Sequence, residues 1–228
     1  MPIISFANSK GGSGKTTSAL LLACELAQYK DTTLIDADPR RPITEWYKIK
    51  GGPDRLKVVT NSDENTILDE IEQASSESSF VIVDLEGVAS RLTSYAISMS
   101  DLVIIPMKEQ QQDAWAAMDV IKQIKMESRA RRAMIPFSIL FTQTRVVAKS
   151  RTARHIAEQF RATKTIPCLQ TEINDRDAYS ALFNIGGTIH DLKSSDVNNI
   201  AAALENANVY AEEVVQLLRE NKKTREAA

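Results

Sequence analysis

The run K-G-G-S-G-K-T-T from Lys10 to Thr17 restricts this chain more than any other feature, because it follows directly on the apolar, β-branched stretch Ile3 to Phe6. A chain leaving a buried strand through Asn8 to Gly14 must turn tightly with consecutive backbone N–H groups pointing inward. Gly11, Gly12 and Gly14 permit that turn, and with Ser13 they are the candidate nucleotide-binding residues of the loop. A helix starting at Thr16 then aims its positive end at the same point, which makes the loop a cradle for phosphate. Lys15 is placed for the β- and γ-phosphates, the Thr16 hydroxyl for Mg²⁺ and Thr17 for the α-phosphate.

The rest of the chain supplies the frame. Short apolar runs at Ile3 to Phe6, Thr33 to Ile35, Leu56 to Val59, Phe80 to Val83, Leu102 to Ile105 and Pro136 to Phe141 have the length and branching of buried strands, and Thr165 to Leu169 is a candidate seventh. Helical patterns alternate with them at 16–29, 66–75, 91–98, 113–126, 150–160 and 175–182. A last helix is expected from Val197 to Arg219, its apolar stripe packed on the domain, with 220–228 as a frayed tail. The expectation is α/β: a single-domain P-loop NTPase fold spanning 1–228, with a mainly parallel twisted sheet flanked by helices on both faces.

Open α/β sheets place ligands beyond the carboxyl ends of their strands, and two such ends carry acids. Thr33 to Asp38 reads T-L-I-D-A-D before Pro39, and Phe80 to Asp84 reads F-V-I-V-D, the Walker B form. Asp84 is the candidate for holding Mg²⁺ directly or through water. Asp38 is the candidate for positioning an attacking water, and Asp36 is expected nearer the metal and Thr16. Either of the last two, taken alone, would equally suit a helix cap near Pro39.

Two departures from the ordinary loop pattern narrow the reading. Ser9 stands where the consensus has glycine, and Lys10 precedes the glycine pair. With D-A-D-P at Asp36 to Pro39, V-D at Asp84 and D-L-V-I-I-P from Asp101 following in order, the chain resembles the ParA/MinD superfamily of deviant Walker A ATPases. The short ParA, ParF-like plasmid partition proteins are the nearest in type, since no helix-turn-helix precedes Lys10. That resemblance implies ATP and ADP as ligands with Mg²⁺, and Lys10 reaching the partner's phosphates in an ATP-sandwiched homodimer, with higher assemblies left open. It further implies nonspecific DNA binding, slow hydrolysis stimulated by a small centromere-binding adaptor, and a cytoplasmic, nucleoid-associated location in bacteria. No residue stands out as a cis arginine finger. Relatives often carry a P-x-D element after the fifth strand. This chain has K-E-Q-Q-Q-D from Lys108 to Asp113, so no switch role is assigned there, and Glu86 is given none. For the adenine base, T-E-I-N-D-R-D-A-Y from Thr171 resembles a base-side segment, which makes Arg176 the residue to examine.

Charge is polarised. Between Arg129 and Lys164 there are nine cations and one acid, in a chain whose net charge is −2. Arg145, Lys149, Arg151, Arg154, Arg161 and Lys164 are the candidate contacts to duplex phosphates, without interleaved aromatics for single-strand stacking. Cys24 and Cys168 form no metal-ligand pattern and suit a reducing compartment. The polar end after Leu218 argues against a membrane-cycling relative, so no stable membrane association is expected. A cargo-positioning or conjugation-associated relative would share the same chemistry.

Overall fold

The computed structural model describes residues 1–60, 62–87 and 90–226. Seven strands form one parallel sheet: β1 Ile3–Phe6, β2 Thr32–Ala37, β3 Leu56–Val59, β4 Phe80–Leu85, β5 Leu102–Met107, β6 Phe137–Thr144 and β7 Ile173–Asn174, in the order β3-β2-β4-β1-β5-β6-β7. The α-helices among the described residues are α1 Lys15–Ala27, α2 Pro42–Lys50, α3 Ile67–Glu77, α4 Arg91–Met99, α5 Gln111–Arg131, α6 Arg151–Ala162, α7 Asp177–Ile185 and α8 Ile200–Glu226.

Alternation along the strands sorts side chains onto two faces. Ile4, Phe6, Leu34, Ile82 and Ile104 point toward α1, α2, α7 and α8, and Ile3, Ile35, Val83, Val103 and Ile139 toward α3 to α6. Helix α1 is buried along most of its length, through the run L-L-L-A-C-E-L-A, because α8 covers what the sheet does not. β1 lies between β4 and β5, so successive connections run in opposite directions from it. That switch point opens a crevice beyond its carboxyl end, and the phosphate loop occupies it.

Four features differ from the sequence expectation. Thr165 to Leu169 is not a strand: Ile166 closes a turn onto Thr163, Pro167 has no N–H to donate, and only a Cys168–Ile139 bridge pairs with the sheet. The seventh strand is Ile173–Asn174. Helix α2 follows Asp38 in a stretch given no helix by periodicity, with Pro42 in its first turn and Ile43 and Trp46 buried. The final helix starts at Ile200 and remains helical to Glu226, where a frayed tail was expected. Its stripe does pack on the domain, through Ala207, Ala211, Val214 and Leu218.

Candidate functional site

The loop between β1 and α1 takes the shape that its glycines allow. Gly12 and Gly14 hold φ of +72° and +89°, conformations that L side chains rarely adopt. A Cβ on Gly14 would also lie 3.1 Å from Thr142. The loop is braced from β6, where the Thr142 hydroxyl donates to the Ser13 carbonyl at 2.7 Å and the Gln143 side-chain amide to the Gly12 carbonyl at 3.1 Å. On its other side, Asn8 donates to the Pro106 carbonyl and accepts from the Lys10 N–H. None of Asn8, Thr142 and Gln143 was marked by the motif itself, because their partners come from strands far away in sequence.

A cavity of about 490 Å³ opens over this loop. Gly11 to Thr17 line it together with Asp38, Arg40 and Glu86. The structure therefore brings Asp38 to the phosphate loop and adds two residues, Arg40 and Glu86, that sequence reasoning had not placed there. Lys15 is buried within it. Desolvation lowers its pKa, opposed by the charges of Asp84, Asp38 and Glu86.

Asp84 lies at the end of β4, directly across from Asp36 in the strand register. It is fully buried and neither carboxylate oxygen has a hydrogen-bond partner. Burial pushes its pKa up to about 7, with the charges of Asp36 and Asp38 adding to the rise while the nearby Thr16 hydroxyl and Lys15 oppose it. Asp36, expected nearer the metal and Thr16, also has a partner that the sequence did not offer. Its Oδ2 accepts both the N–H and the hydroxyl of Thr44, 2.7 Å each, at the start of α2. Its Oδ1 remains buried and unpartnered, and burial raises this carboxyl as well. The Ser13 hydroxyl is a further buried orphan in the loop. Three orphaned carboxylate oxygens beside the Thr16 hydroxyl are donors that suit a hard divalent cation, so Mg²⁺ fits this site. Held without one, they are costly.

Lys10 does not reach outward. Its ammonium pairs with Asp113 in the first turn of α5, a carboxylate with no solvent exposure whose other oxygen accepts the Lys108 N–H at 3.3 Å. A Cβ on Gly12 would lie 3.9 Å from the Lys108 ammonium, so that lysine also approaches the loop. The segment given no role in sequence thus holds the partner of the signature lysine. An acid in the first turn of a helix beside a site was the available signal.

A second cavity, about 220 Å³, adjoins the first through Gly14, Thr17 and Gln143. It continues to Asn174, Arg176 and Tyr179. Arg176 caps α7 and donates to Asn174 Oδ1 at 3.2 Å, so the proposed base-side residue does line a cavity continuous with the loop. A larger hollow of about 540 Å³ between Lys50–Arg55 and Gly187–Asp191 contains no motif residue.

The basic segment divides. Arg145, Arg151, Arg154 and Lys164 are exposed, and none forms an ion pair among the described residues. Lys149 and Arg161 depart from the expectation of a free cationic face. Lys149 pairs with Glu109 at 2.7 Å and Glu172 at 2.5 Å, while Arg161 pairs with Glu172 and lies 5.3 Å from the Phe141 ring. Both acids come from outside the segment, so the local charge count overlooked them. No described helix is long and apolar enough to cross a membrane.

This geometry agrees with the comparisons. The VirC1 protein family matches residues 1–225. A Protein ParA of Rhizobium radiobacter is 36% identical over 221 residues, 96% of this chain and 99% of that one, and a Protein virC1 of the same organism is 27% identical over 94% and 95%. In fold, an ATP complex of a McdA variant from Cyanothece superposes with a TM-score of 0.73 at 13% identity, covering 94% of this chain and 96% of that one. By the extent of these matches, the chain belongs to the VirC1 protein family, among the ParA-like partition and positioning ATPases.

Proposed function

We propose that this protein is a nucleotide-timed DNA-segregation ATPase: ATP joins two copies, the dimer holds DNA without sequence preference, and slow hydrolysis, quickened by a small centromere-binding adaptor, releases it. The observation that carries this reading is the braced phosphate loop facing Asp84, a buried carboxylate without a partner. Loop N–H groups and Lys15 bind the β- and γ-phosphates, and Thr17 the α-phosphate. Arg176 lies toward the base, and Thr16, Asp84 and the unpartnered oxygen of Asp36 hold Mg²⁺. When bound, that ion neutralises charge on the phosphate oxygens. Asp38, one oxygen held by the Arg40 N–H at 2.8 Å, orients the attacking water through the other.

Lys10 belongs to the second half of the cycle, in which it exchanges Asp113 for the phosphates of the partner copy. The exposed cations Arg145, Arg151, Arg154 and Lys164 are the DNA contacts. Lys149 and Arg161 instead tie the loops around Glu172. The protein acts in the bacterial cytoplasm on the nucleoid. A cargo-positioning or conjugation-associated role would use the same site with other freight.

The test is DNA affinity with ATP, with ADP and without nucleotide across a salt series. A gain confined to ATP, falling steeply with salt, is expected. Equal affinity in all three states would overturn the segregation reading and leave the ATPase reading standing.

A further inference from the structure

We infer that Arg40 is a catalytic residue that contacts the terminal phosphate from within its own subunit, an inference that rests on the ATPase reading above. Three observations support it. Arg40 lines the cavity shared by Lys15, Thr16 and Asp38, although it comes from the loop after β2 and not from the phosphate loop. That loop is stiff: Pro39 and Pro42 fix their own φ, the Asp38 carboxylate accepts the Arg40 N–H at 2.8 Å, and the Asp38 carbonyl accepts the Arg41 N–H at 2.8 Å. Arg41 then stands at φ +53°, a strained position that the two flanking anchors, Asp38 and the Asp36–Thr44 contact, hold in place.

Arg40 itself is solvent-exposed and makes no ion pair among the described residues, so its guanidinium is available to a ligand. The stiff loop holds the Arg40 backbone at the rim of a cavity built around a phosphate loop, within reach of which arginine's paired N–H groups can match two phosphate oxygens.

In the step so assisted, the water oxygen bonds to the γ-phosphorus as the bond to the β,γ-bridging oxygen breaks. ADP leaves with the electron pair, and inorganic phosphate carries off the water oxygen with one of its protons while the other passes to a phosphate oxygen or to solvent. Arg40 meets the charge developing on the transferred group, while the Asp38 carboxylate that orients the water is held by the Arg40 backbone.

The test compares wild type, Arg40→Gln and Arg40→Lys by titration with Mg²⁺·ADP and with Mg²⁺·ADP plus aluminium fluoride, alongside kcat and KM for ATP. Arg40→Gln is expected to lower kcat and affinity for the fluoride complex by about tenfold to a hundredfold, with ADP affinity within about twofold of wild type and Arg40→Lys intermediate. ADP affinity falling as far as that for the fluoride complex would assign Arg40 to ground-state binding or loop structure and overturn the inference. Unchanged kcat would do the same. A wild-type chain that bound no nucleotide would fail the parent reading before Arg40 was reached.

Discussion

Two fully buried aspartates flank the phosphate loop, and they are treated in opposite ways. On the β5 side, Asp113 has the Lys10 ammonium on one oxygen and the Lys108 N–H on the other. On the β4 side, Asp84 has no ion pair and no partner at hydrogen-bond geometry, only the nearby Thr16 hydroxyl and the more distant Lys15 charge, and its carboxyl is driven up to about 7. A buried charge with partners is part of the scaffold, whereas one without them is a deficit that a ligand cation relieves. The first aspartate keeps the signature lysine at home and the second keeps a place for the metal.

The largest effect should come from removing that deficit. Asp84→Asn is expected to lower Mg²⁺-dependent ATP turnover by about a hundredfold or more. It should nonetheless raise the stability of the nucleotide-free protein at pH 8 by about 2–4 kcal/mol, since each pKa unit corresponds to about 1.4 kcal/mol. The sign follows from a carboxyl whose folded pKa is raised. Its contribution is fully present below about pH 4, is lost as pH rises toward about 7, and levels off above that. Denaturant melts of wild type from pH 5 to 8 should show that decline and the Asn variant should lack it. Parallel pH profiles would remove the contrast between the two aspartates.

On the other side, Lys10→Ala strands Asp113 without its cation and should destabilise the free protein by about 3 kcal/mol. Lys10→Ala/Asp113→Asn should recover most of that loss. Both variants should still bind ATP yet fail to form the ATP-dependent dimer in light scattering. An intact dimer in the double variant would show that Lys10 serves Asp113 alone.

The smallest effects lie at the surface. Arg151→Ala and Arg154→Ala should each weaken DNA binding modestly and reduce the salt slope by about one. Lys149→Ala should instead lower stability with an unchanged slope, because it leaves Glu109 and Glu172 facing each other's charge. A slope change for Lys149→Ala would return it to the DNA-binding face.

What the sequence displayed was local. Glycine and lysine spacing from Lys10 to Thr17, an apolar run ending in Asp84 and the β-α alternation are all contained in short windows, and the structure has them where they were read. What it hid depends on distant partners. Asp113 lies 103 residues from Lys10, and Thr142 lies 129 from Ser13. The sequence offers a helix near Pro39 only as the capping alternative for Asp36 and Asp38, and nothing in it marks Thr44 as the partner of Asp36. The +8 segment overstated the free cations because Glu109 and Glu172 are brought to it only by folding.

The sheet that separates the two apolar cores also separates two kinds of surface. Of the layer of α1, α2, α7 and α8, helix α1 rises directly from the phosphate loop and is buried over most of its length. The layer of α3 to α6 meets the nucleotide site chiefly at its loop ends and presents its outer surface, including exposed Trp115 and the arginines of α6, to solvent. On the function proposed above, the cations of α6 can be altered without changing any residue that lines the phosphate-loop cavity.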